Sequence, residues 1–186
     1  MSTLKIGVIV GSLRPGSLNR KLADAVMRMS PEGLEPEPIR IDDLPLYNQN
    51  DDDHPAPSVA RLRDSVGGSH GIVFVTPEYN RSLPGVLKNA IDHASRPYGR
   101  NAWKGKPAGI MGITPGKMGT SMAQQHLRNI LASVDMPVLP QPEVFLHAHD
   151  GFFDDDGNVA ADVQPLLQRW IFRFQDWVRM HASEPA

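Results

Sequence analysis

The chain has 186 residues, a formal net charge of −2 and no cysteine. This length suits one α/β domain with a sizeable core, so we expect a single domain over residues 1–186. The small net charge argues against nucleic acid or a membrane surface as a partner, and the lack of cysteine excludes disulfides, thiolate nucleophiles and thiolate metal sites.

The first part of the chain predicts two strands, each followed by a helix. The apolar run at 4–10 contains β-branched residues and is typical of a strand buried on both faces. Apolar side chains at helical spacing predict the first helix over about 18–29. The segment 35–41 predicts a weak strand, and its prolines favour an edge position. A short helix is predicted at 59–66, closed by a glycine pair.

The rest of the chain continues this alternation. In chain order, the pattern predicts a strand at 71–75, a helix at 83–94, a strand at 108–113, a helix at 123–134, a strand at 143–146 and a helix at 163–178. Strands separated by helices indicate βαβ units with right-handed crossovers. The whole pattern predicts an α/β flavodoxin-like, doubly wound, five-stranded parallel sheet of order 2-1-3-4-5, with helices on both faces.

Three unusual loops should meet at one edge of this sheet. In the order 2-1-3-4-5, ligands bind between strands one and three, beyond the carboxyl ends of the strands. The first loop, residues 11–19, reads GSLRPGSLN, and the second loop, residues 76–85, reads TPEYNRSLPG. The third loop, residues 114–121, follows strand four and reads TPGKMGTS. Their position predicts a shared ligand site.

The first loop has the composition of an anion-binding loop. Its glycine spacing does not match the dinucleotide fingerprint, and although two glycines have P-loop spacing, the phosphate-binding lysine is missing. A terminal phosphate monoester suits it better: Ser12, Ser17 and Asn19 can donate, Arg14 adds a charge, and the next helix adds backbone N–H groups. The alternative is a simple turn with Ser17 as N-cap and Arg14 in solvent.

The second and third loops favour a flat ligand. Pro77 ends a strand with rigid backbone that can face a heterocycle, and Tyr79 offers an aromatic wall. A tight turn with a buried tyrosine is the alternative. Gly116 and Gly119 would let the third loop approach a ligand closely. Together the three loops suit a flat ring that carries a phosphate tail.

These motifs resemble those of the NAD(P)H-dependent FMN reductases of the flavodoxin-like group, which include bacterial quinone, chromate and azo-dye reductases. GSLRPGSLN, TPEYNRSLPGVLKNAIDHASRP and HLRNIL carry the resemblance, which spans about residues 4–146. It implies bound FMN and hydride transfer from NADH or NADPH to flavin N5, then to a small acceptor. Quinones, chromate, ferric chelates, azo compounds and free flavin are all open as acceptors. The two substrates should use the exposed ring face in turn, which predicts ping-pong kinetics.

The resemblance also assigns site residues and an assembly. The FMN phosphate would be held by Ser12, Arg14, Ser17, Leu18 and Asn19. The isoalloxazine ring would be lined by Pro77, Glu78, Tyr79 and Asn80, with the hydride chemistry beside Tyr79 and Asn80. Thr114 would lie near the ring, beside the backbone of Gly116. Such proteins are commonly homodimers or homotetramers with the flavin close to a subunit interface.

Arg96 is a further catalytic candidate. It follows the third helix and could bind the phosphates of NAD(P)H or an anionic acceptor, although a basic residue there would also complement the helix dipole. Two positions depart from the family pattern. The family often has tryptophan where this chain has His93, and the glycine pair expected after strand four is Gly119-Thr120. Both departures concern the rim of the site.

Two other functions remain open. A flavodoxin-type electron carrier would bind FMN without oxidising NAD(P)H itself, although such carriers are usually strongly acidic and a charge of −2 gives that reading little support. A non-redox regulator that kept the fold is the third possibility.

No metal site and no membrane segment are expected. HAHD at 147–150 offers too few ligands for a structural zinc site, and DDDGN at 154–158 lacks EF-hand spacing. The N-terminus shows no charged segment followed by an apolar stretch, and no apolar run could cross a bilayer. We therefore expect a cytoplasmic protein.

Overall fold

A computed structural model of the protein describes residues 3–181. The strands are β1 Leu4–Val10, β2 Leu34–Pro38, β3 Gly71–Val75, β4 Ala108–Thr114 and β5 Phe145–His147. The helices are α1 Leu18–Arg28, α2 Pro57–Gly67, α3 Gly85–Ala94, α4 Ser121–Ser133 and α5 Gln164–His181. The strands form one parallel sheet of order β2-β1-β3-β4-β5, which confirms the predicted topology.

The central strands are the most apolar ones. β1 pairs with both β2 and β3, and every residue of β3 is buried. The prolines of β2 are tolerated because this strand lies at the edge of the sheet, as predicted. β2 is nevertheless shorter than predicted: Ile39 and Ile41 lie beyond it and are buried in the core instead.

The last strand is also displaced from its predicted position. It starts at Phe145 rather than at Glu143, and its pairing with β4 joins Gly112 to Phe145. The backbone N–H of Glu143 donates to the side chain of Gln141 at 3.3 Å, and its carboxylate faces Arg128 at 3.7 Å. These local contacts hold residue 143 outside the ladder.

Helices cover both faces of the sheet, as predicted. The core on one face includes Leu22 of α1 and Trp170 of α5, and the core on the other includes Leu62, Ile91 and Leu127 from the remaining helices. The aromatic residues of α5 are core residues: Trp170 and Phe174 stack with ring centroids 5.2 Å apart. A Cβ atom at Gly109 of β4 would lie 2.5 Å from Trp170, so glycine is required there.

Among the helices within residues 3–181, none is long and apolar enough to cross a membrane. The same residues contain no cluster of three or more His, Asp or Glu side chains that could hold a metal ion.

Candidate functional site

The three loops meet at the carboxyl ends of β1, β3 and β4 and enclose a cleft of about 140 Å³. The cleft is lined by Ser12, Arg14, Ser17, Leu18, Asn19, Pro77, Glu78, Tyr79, Ile113, Thr114 and Pro115. Most of the residues predicted for the site are therefore brought together. The exceptions are Asn80, Gly116 and Arg96, which do not line the cleft.

The start of α1 gives the first loop its donors. Gly16 has φ +70°, a left-handed conformation that turns the chain into the helix. Ser17 is the N-cap, and its Oγ accepts the N–H of Arg20 at 3.3 Å. The cap leaves the backbone N–H groups of Leu18 and Asn19 without an intrahelical acceptor. Since Ser17 can still donate its own hydroxyl proton, capping and anion binding are compatible at this residue.

Asn19 is engaged with the protein itself. Its amide nitrogen donates to the carbonyl of Ile113 at 2.9 Å, and its amide oxygen accepts the N–H of Ile113 at 3.1 Å. The side chain is buried, with 3% of the residue exposed. The expected free side-chain donor is therefore not found at Asn19. What this residue offers the cleft is a backbone N–H, and its side chain fastens α1 to the end of β4.

The second loop is a narrow hairpin. Tyr79 and Ser82 exchange two backbone hydrogen bonds of 2.9 Å around Asn80 and Arg81. Asn80 and Arg81 have φ of +51° and +64°, as a two-residue hairpin of this kind requires. This conformation is unfavourable for arginine by roughly 1 kcal/mol. Tyr79 is half exposed and lines the cleft, while Asn80 lies at the exposed tip.

Glu78 caps a helix from another part of the chain. Its Oε2 accepts the backbone N–H groups of Met122 and Ala123, at 3.0 and 3.1 Å, in the first turn of α4. A carboxylate there satisfies two otherwise unpaired donors and complements the helix dipole. A second link joins Ser82 Oγ to His126 Nδ1 at 3.0 Å. The hairpin is thus anchored on α4 at two points.

The sequence did not predict this cap, because no local sequence motif indicates that Glu78 caps a helix 44 residues away. Thr120 immediately precedes α4 and has the composition of an N-cap, but its side chain makes no capping bond. It is fully buried, and its Oγ1 accepts the Gln124 amide at 2.8 Å. A Cβ at Gly112 would overlap this oxygen, so the close packing of Gly112 and Thr120 leaves the cap to Glu78.

Of the two glycines in the third loop, the fold requires glycine at one position and not at the other. Gly119 has φ +62°, and a Cβ there would lie 2.8 Å from Phe145, so the fold itself requires glycine. Gly116 is exposed, and a Cβ there would come no closer than 3.8 Å to Thr114. A close approach of a ligand to Gly116 stays a prediction.

Arg96 lies at the other end of α3. This helix begins after the second loop and, with ten residues, rises about 15 Å away from the cleft. The chain then leads to the start of β4, so Arg96 sits near the amino edge of the sheet. Burial raises the pKa of the Tyr47 hydroxyl above its usual value, and the charge of Arg96 opposes part of that rise. The role of Arg96 at the ring stays a prediction.

His93 lies on the same part of α3. It is buried, its Nε2 is 2.8 Å from the carbonyl of Pro45, and its ring packs edge-on against Tyr47. The position where the family often has tryptophan therefore anchors the segment around residue 45, and it does not line the cleft.

The residues of the cleft fit a flat ring with a phosphate tail. At one end, Arg14, the Ser12 hydroxyl and the N–H groups of α1 can receive a phosphate. At the other end, Tyr79 and Thr114 flank a space for a ring. The cleft is smaller than the roughly 300 Å³ of a pocket that encloses its ligand, so a ring bound there would be covered only in part by this chain.

A doubly wound sheet with an anion-binding loop and a ring-sized cleft at its switch point defines a nucleotide-binding protein of the flavodoxin type. Comparison with known proteins makes this specific. Residues 4–150 match the model of the NADPH-dependent FMN reductase family, and the chain belongs to that family. The predicted resemblance is confirmed: this is an oxidoreductase that uses FMN as cofactor and NAD(P)H as co-substrate.

Similar proteins support the same assignment. A quinone reductase of Pseudomonas putida is 42% identical over 179 residues, covering 96% of each chain. A 2-hydroxy-1,4-benzoquinone reductase of a Burkholderia species is 43% identical over 178 residues, covering 95% of this chain and 97% of the relative. The structure of the flavoenzyme NAD(P)H:(acceptor) oxidoreductase FerB from Paracoccus denitrificans superposes with a TM-score of 0.93 at 40% identity, over 97% of this chain and all of FerB.

Proposed function

We propose that this protein reduces small quinones with NADH or NADPH through FMN held in the cleft. The observation that supports it most directly is the pairing, in one cleft, of a donor-rich loop with a rigid ring-side hairpin. The relatives add the acceptor class, since two similar proteins carry the names quinone reductase and 2-hydroxy-1,4-benzoquinone reductase. Chromate, ferric chelates, azo compounds and free flavin are secondary candidates as acceptors.

In this reaction the protein binds FMN and orients it for the two substrates. Bound FMN supplies the hydride chemistry. Arg14 and the first-turn N–H groups of α1 bind the phosphate, with a full charge and the positive end of a helix dipole. Tyr79 bounds the ring, and its position is fixed because Glu78 and Ser82 are bonded to α4. The cleft has one open side, so nicotinamide and quinone must occupy it in turn.

Steady-state kinetics test the proposal. With FMN-loaded protein, initial rates over a grid of NADPH and benzoquinone concentrations should give parallel double-reciprocal lines, as ping-pong order requires. A panel with chromate, a ferric chelate, an azo dye and free FMN then ranks the acceptors. A flavin-loaded protein without NAD(P)H oxidation above background would instead be an electron carrier, and a protein that stays colourless after FMN is added would be neither.

We also propose a homodimer or homotetramer. The small cleft leaves a bound ring partly uncovered, and a second subunit would cover the rest of it. Light scattering on the eluting protein gives the mass directly. A mass of 20.5 kDa at all concentrations would contradict assembly.

A further inference from the structure

A second recess lies on the far side of the first loop, away from Tyr79. It has a volume of about 290 Å³ and is formed where β1 and β2 end. Three arginines, Arg14, Arg20 and Arg40, line it together with Ser12, Leu13 and Asp42, and we call it the arginine recess. The recess shares Ser12 and Arg14 with the cleft, so the two sites adjoin at the first loop.

The charges of the arginine recess are only partly balanced. Arg40 forms two hydrogen bonds of 3.1 Å to the carboxylate of Asp42, and this pairing holds the pKa of Asp42 below its usual value. Asp43 is bound mainly by Arg61, with a shortest distance of 2.6 Å. Within residues 3–181, the guanidinium groups of Arg14 and Arg20 make no hydrogen bond or ion pair. Two cations therefore face the recess without a partner.

The shape of the arginine recess suits an anion rather than a ring. Charged and polar side chains make up much of its lining, Ile39 and Ile41 are buried in the core behind it, and Leu13 is the large apolar side chain of the lining that is exposed. Guanidinium groups bind phosphate oxygens in pairs of parallel hydrogen bonds, which makes arginine the usual partner of a phosphate monoester. If Arg14 serves the FMN phosphate, Arg20 is left without a partner. Arg40, whose Nε and Nη2 are bonded to Asp42, keeps the donors of its Nη1 for a second phosphate.

We propose that the arginine recess binds the 2′-phosphate of NADPH. This inference rests on the proposed function, because it places the far end of the nucleotide whose nicotinamide occupies the open side of the cleft. NADPH and NADH differ only in this phosphate. A site at which Arg20 and Arg40 receive it makes the protein discriminate in favour of NADPH, without any change in how the cofactor is held.

The test compares the two nucleotides in matched variants. In R20A/R40A, kcat/KM with NADPH should fall about tenfold, since two charge-assisted contacts to the phosphate are lost and each contributes on the order of 1 kcal/mol or less at an exposed site. The value with NADH should stay within about twofold, the scatter expected of a surface substitution. K21A is the control: Lys21 is a neighbouring cation of α1 whose Nζ lies over Phe153, outside the recess.

A binding measurement separates the recess from catalysis. By calorimetry on the FMN-loaded protein, 2′,5′-ADP should bind the wild type and lose about tenfold in affinity in R20A/R40A. 5′-AMP, which lacks the 2′-phosphate, should not respond to the substitutions. FMN affinity, followed by flavin fluorescence, should be the same in wild type, K21A and R20A/R40A.

Three results would overturn the inference. A loss of FMN affinity in R20A/R40A would make the recess part of the FMN phosphate site. Equal losses with NADH and NADPH would remove the 2′-phosphate from the explanation, and an unchanged NADPH profile would leave the recess without a ligand. Failure of the proposed function itself looks different, because the FMN-loaded wild type would then oxidise neither nucleotide in the presence of a quinone.

Discussion

The first and second loops end neighbouring strands, yet they use their polar groups in opposite ways. In the first loop, within residues 3–181, the Arg14 guanidinium and the Ser12 hydroxyl make no hydrogen bond to the protein. In the second loop, Glu78 and Ser82 are both bonded to α4. One loop leaves these donors without a partner in the protein, as the proposed phosphate site requires, and the other uses its polar groups to fix its own position.

The difference indicates that the two ends of the cleft have different roles. An anion is recognised by charge and donors, so the end of the cleft proposed for the phosphate must leave these groups unpaired. A flat ring is recognised by shape, so the ring end must be rigid rather than polar. Asn19 lies in the first loop, but its side chain has a structural role like those of Glu78 and Ser82, because both of its hydrogen bonds hold α1 against β4. Four substitutions test this division.

Arg14→Ala should have the largest effect, and it should act on binding alone. Loss of a charged hydrogen bond is expected to weaken FMN binding by roughly 1.5–3 kcal/mol. The free energy of unfolding of the apoprotein should change by less than about 0.5 kcal/mol, as is usual for an exposed side chain. FMN titration and urea unfolding measure the two quantities. Unchanged FMN affinity would mean that Arg14 faces solvent.

Asn19→Ala should have the reverse pattern: a large loss of unfolding free energy in the apoprotein rather than a direct loss of FMN contacts. It leaves the buried N–H and C=O of Ile113 without the Asn19 partner, which is expected to cost roughly 2 kcal/mol of unfolding free energy in the apoprotein. Asn19→Asp is the matched variant: it keeps the acceptor for the Ile113 N–H but replaces the donor with a buried carboxylate oxygen facing the Ile113 carbonyl, so its loss of stability should be at least as large. A fully stable Asn19→Ala apoprotein with weak FMN binding would show that Asn19 acts on the ligand after all.

Glu78→Ala should destabilise the apoprotein by about 1 kcal/mol, the usual effect of losing a helix N-cap. Glu78→Gln keeps an acceptor and loses the charge, so we expect a smaller loss of about 0.3–1 kcal/mol. Thermal or urea unfolding of the three apoproteins gives the order. If both variants unfold like the wild type while FMN binding falls, Glu78 contacts the ring rather than α4.

Arg81→Gly should have the smallest effect on the free energy of unfolding, and it should raise that free energy where the other substitutions lower it or leave it unchanged. Glycine adopts the positive φ of this position without strain, but it also loses more chain entropy on folding, so the net gain should be roughly 0.5 kcal/mol. Asn80→Gly at the adjacent position is the control, because asparagine already tolerates this conformation. Lower stability in Arg81→Gly would show that the arginine side chain makes a stabilising contact that outweighs its strain.

The sequence was sufficient to predict most of the fold. Apolar runs separated by helical stripes placed the five strands, and the prolines placed β2 at the edge. The exact ends of β2 and β5 were not predicted. Before β5, the Gln141 amide oxygen accepts the backbone N–H of Glu143, a side-chain contact that has no local pattern.

The sequence was sufficient to predict where the loops of the site meet, but it was not sufficient to predict the hydrogen-bond partners of single side chains. Topology brings the first and second loops together, because both follow central strands of a parallel sheet. Topology also argues against Arg96 at the ring of its own chain, since a helix that follows a strand runs back along it. The roles of Glu78 and Asn19 required tertiary structure, because their partners lie 44 and 94 residues away.

The link between Asn19 and Ile113 has a consequence for ligand selection. It joins the helix proposed to receive the phosphate to the strand that leads into the loop proposed to face the ring, so the separation of the two ends of the cleft is set before any ligand enters. The protein can therefore select its cofactor by length. We expect a synthetic flavin phosphate with one carbon more or fewer in its chain to fill one end of the cleft and miss the other, however well its ring and its phosphate match separately.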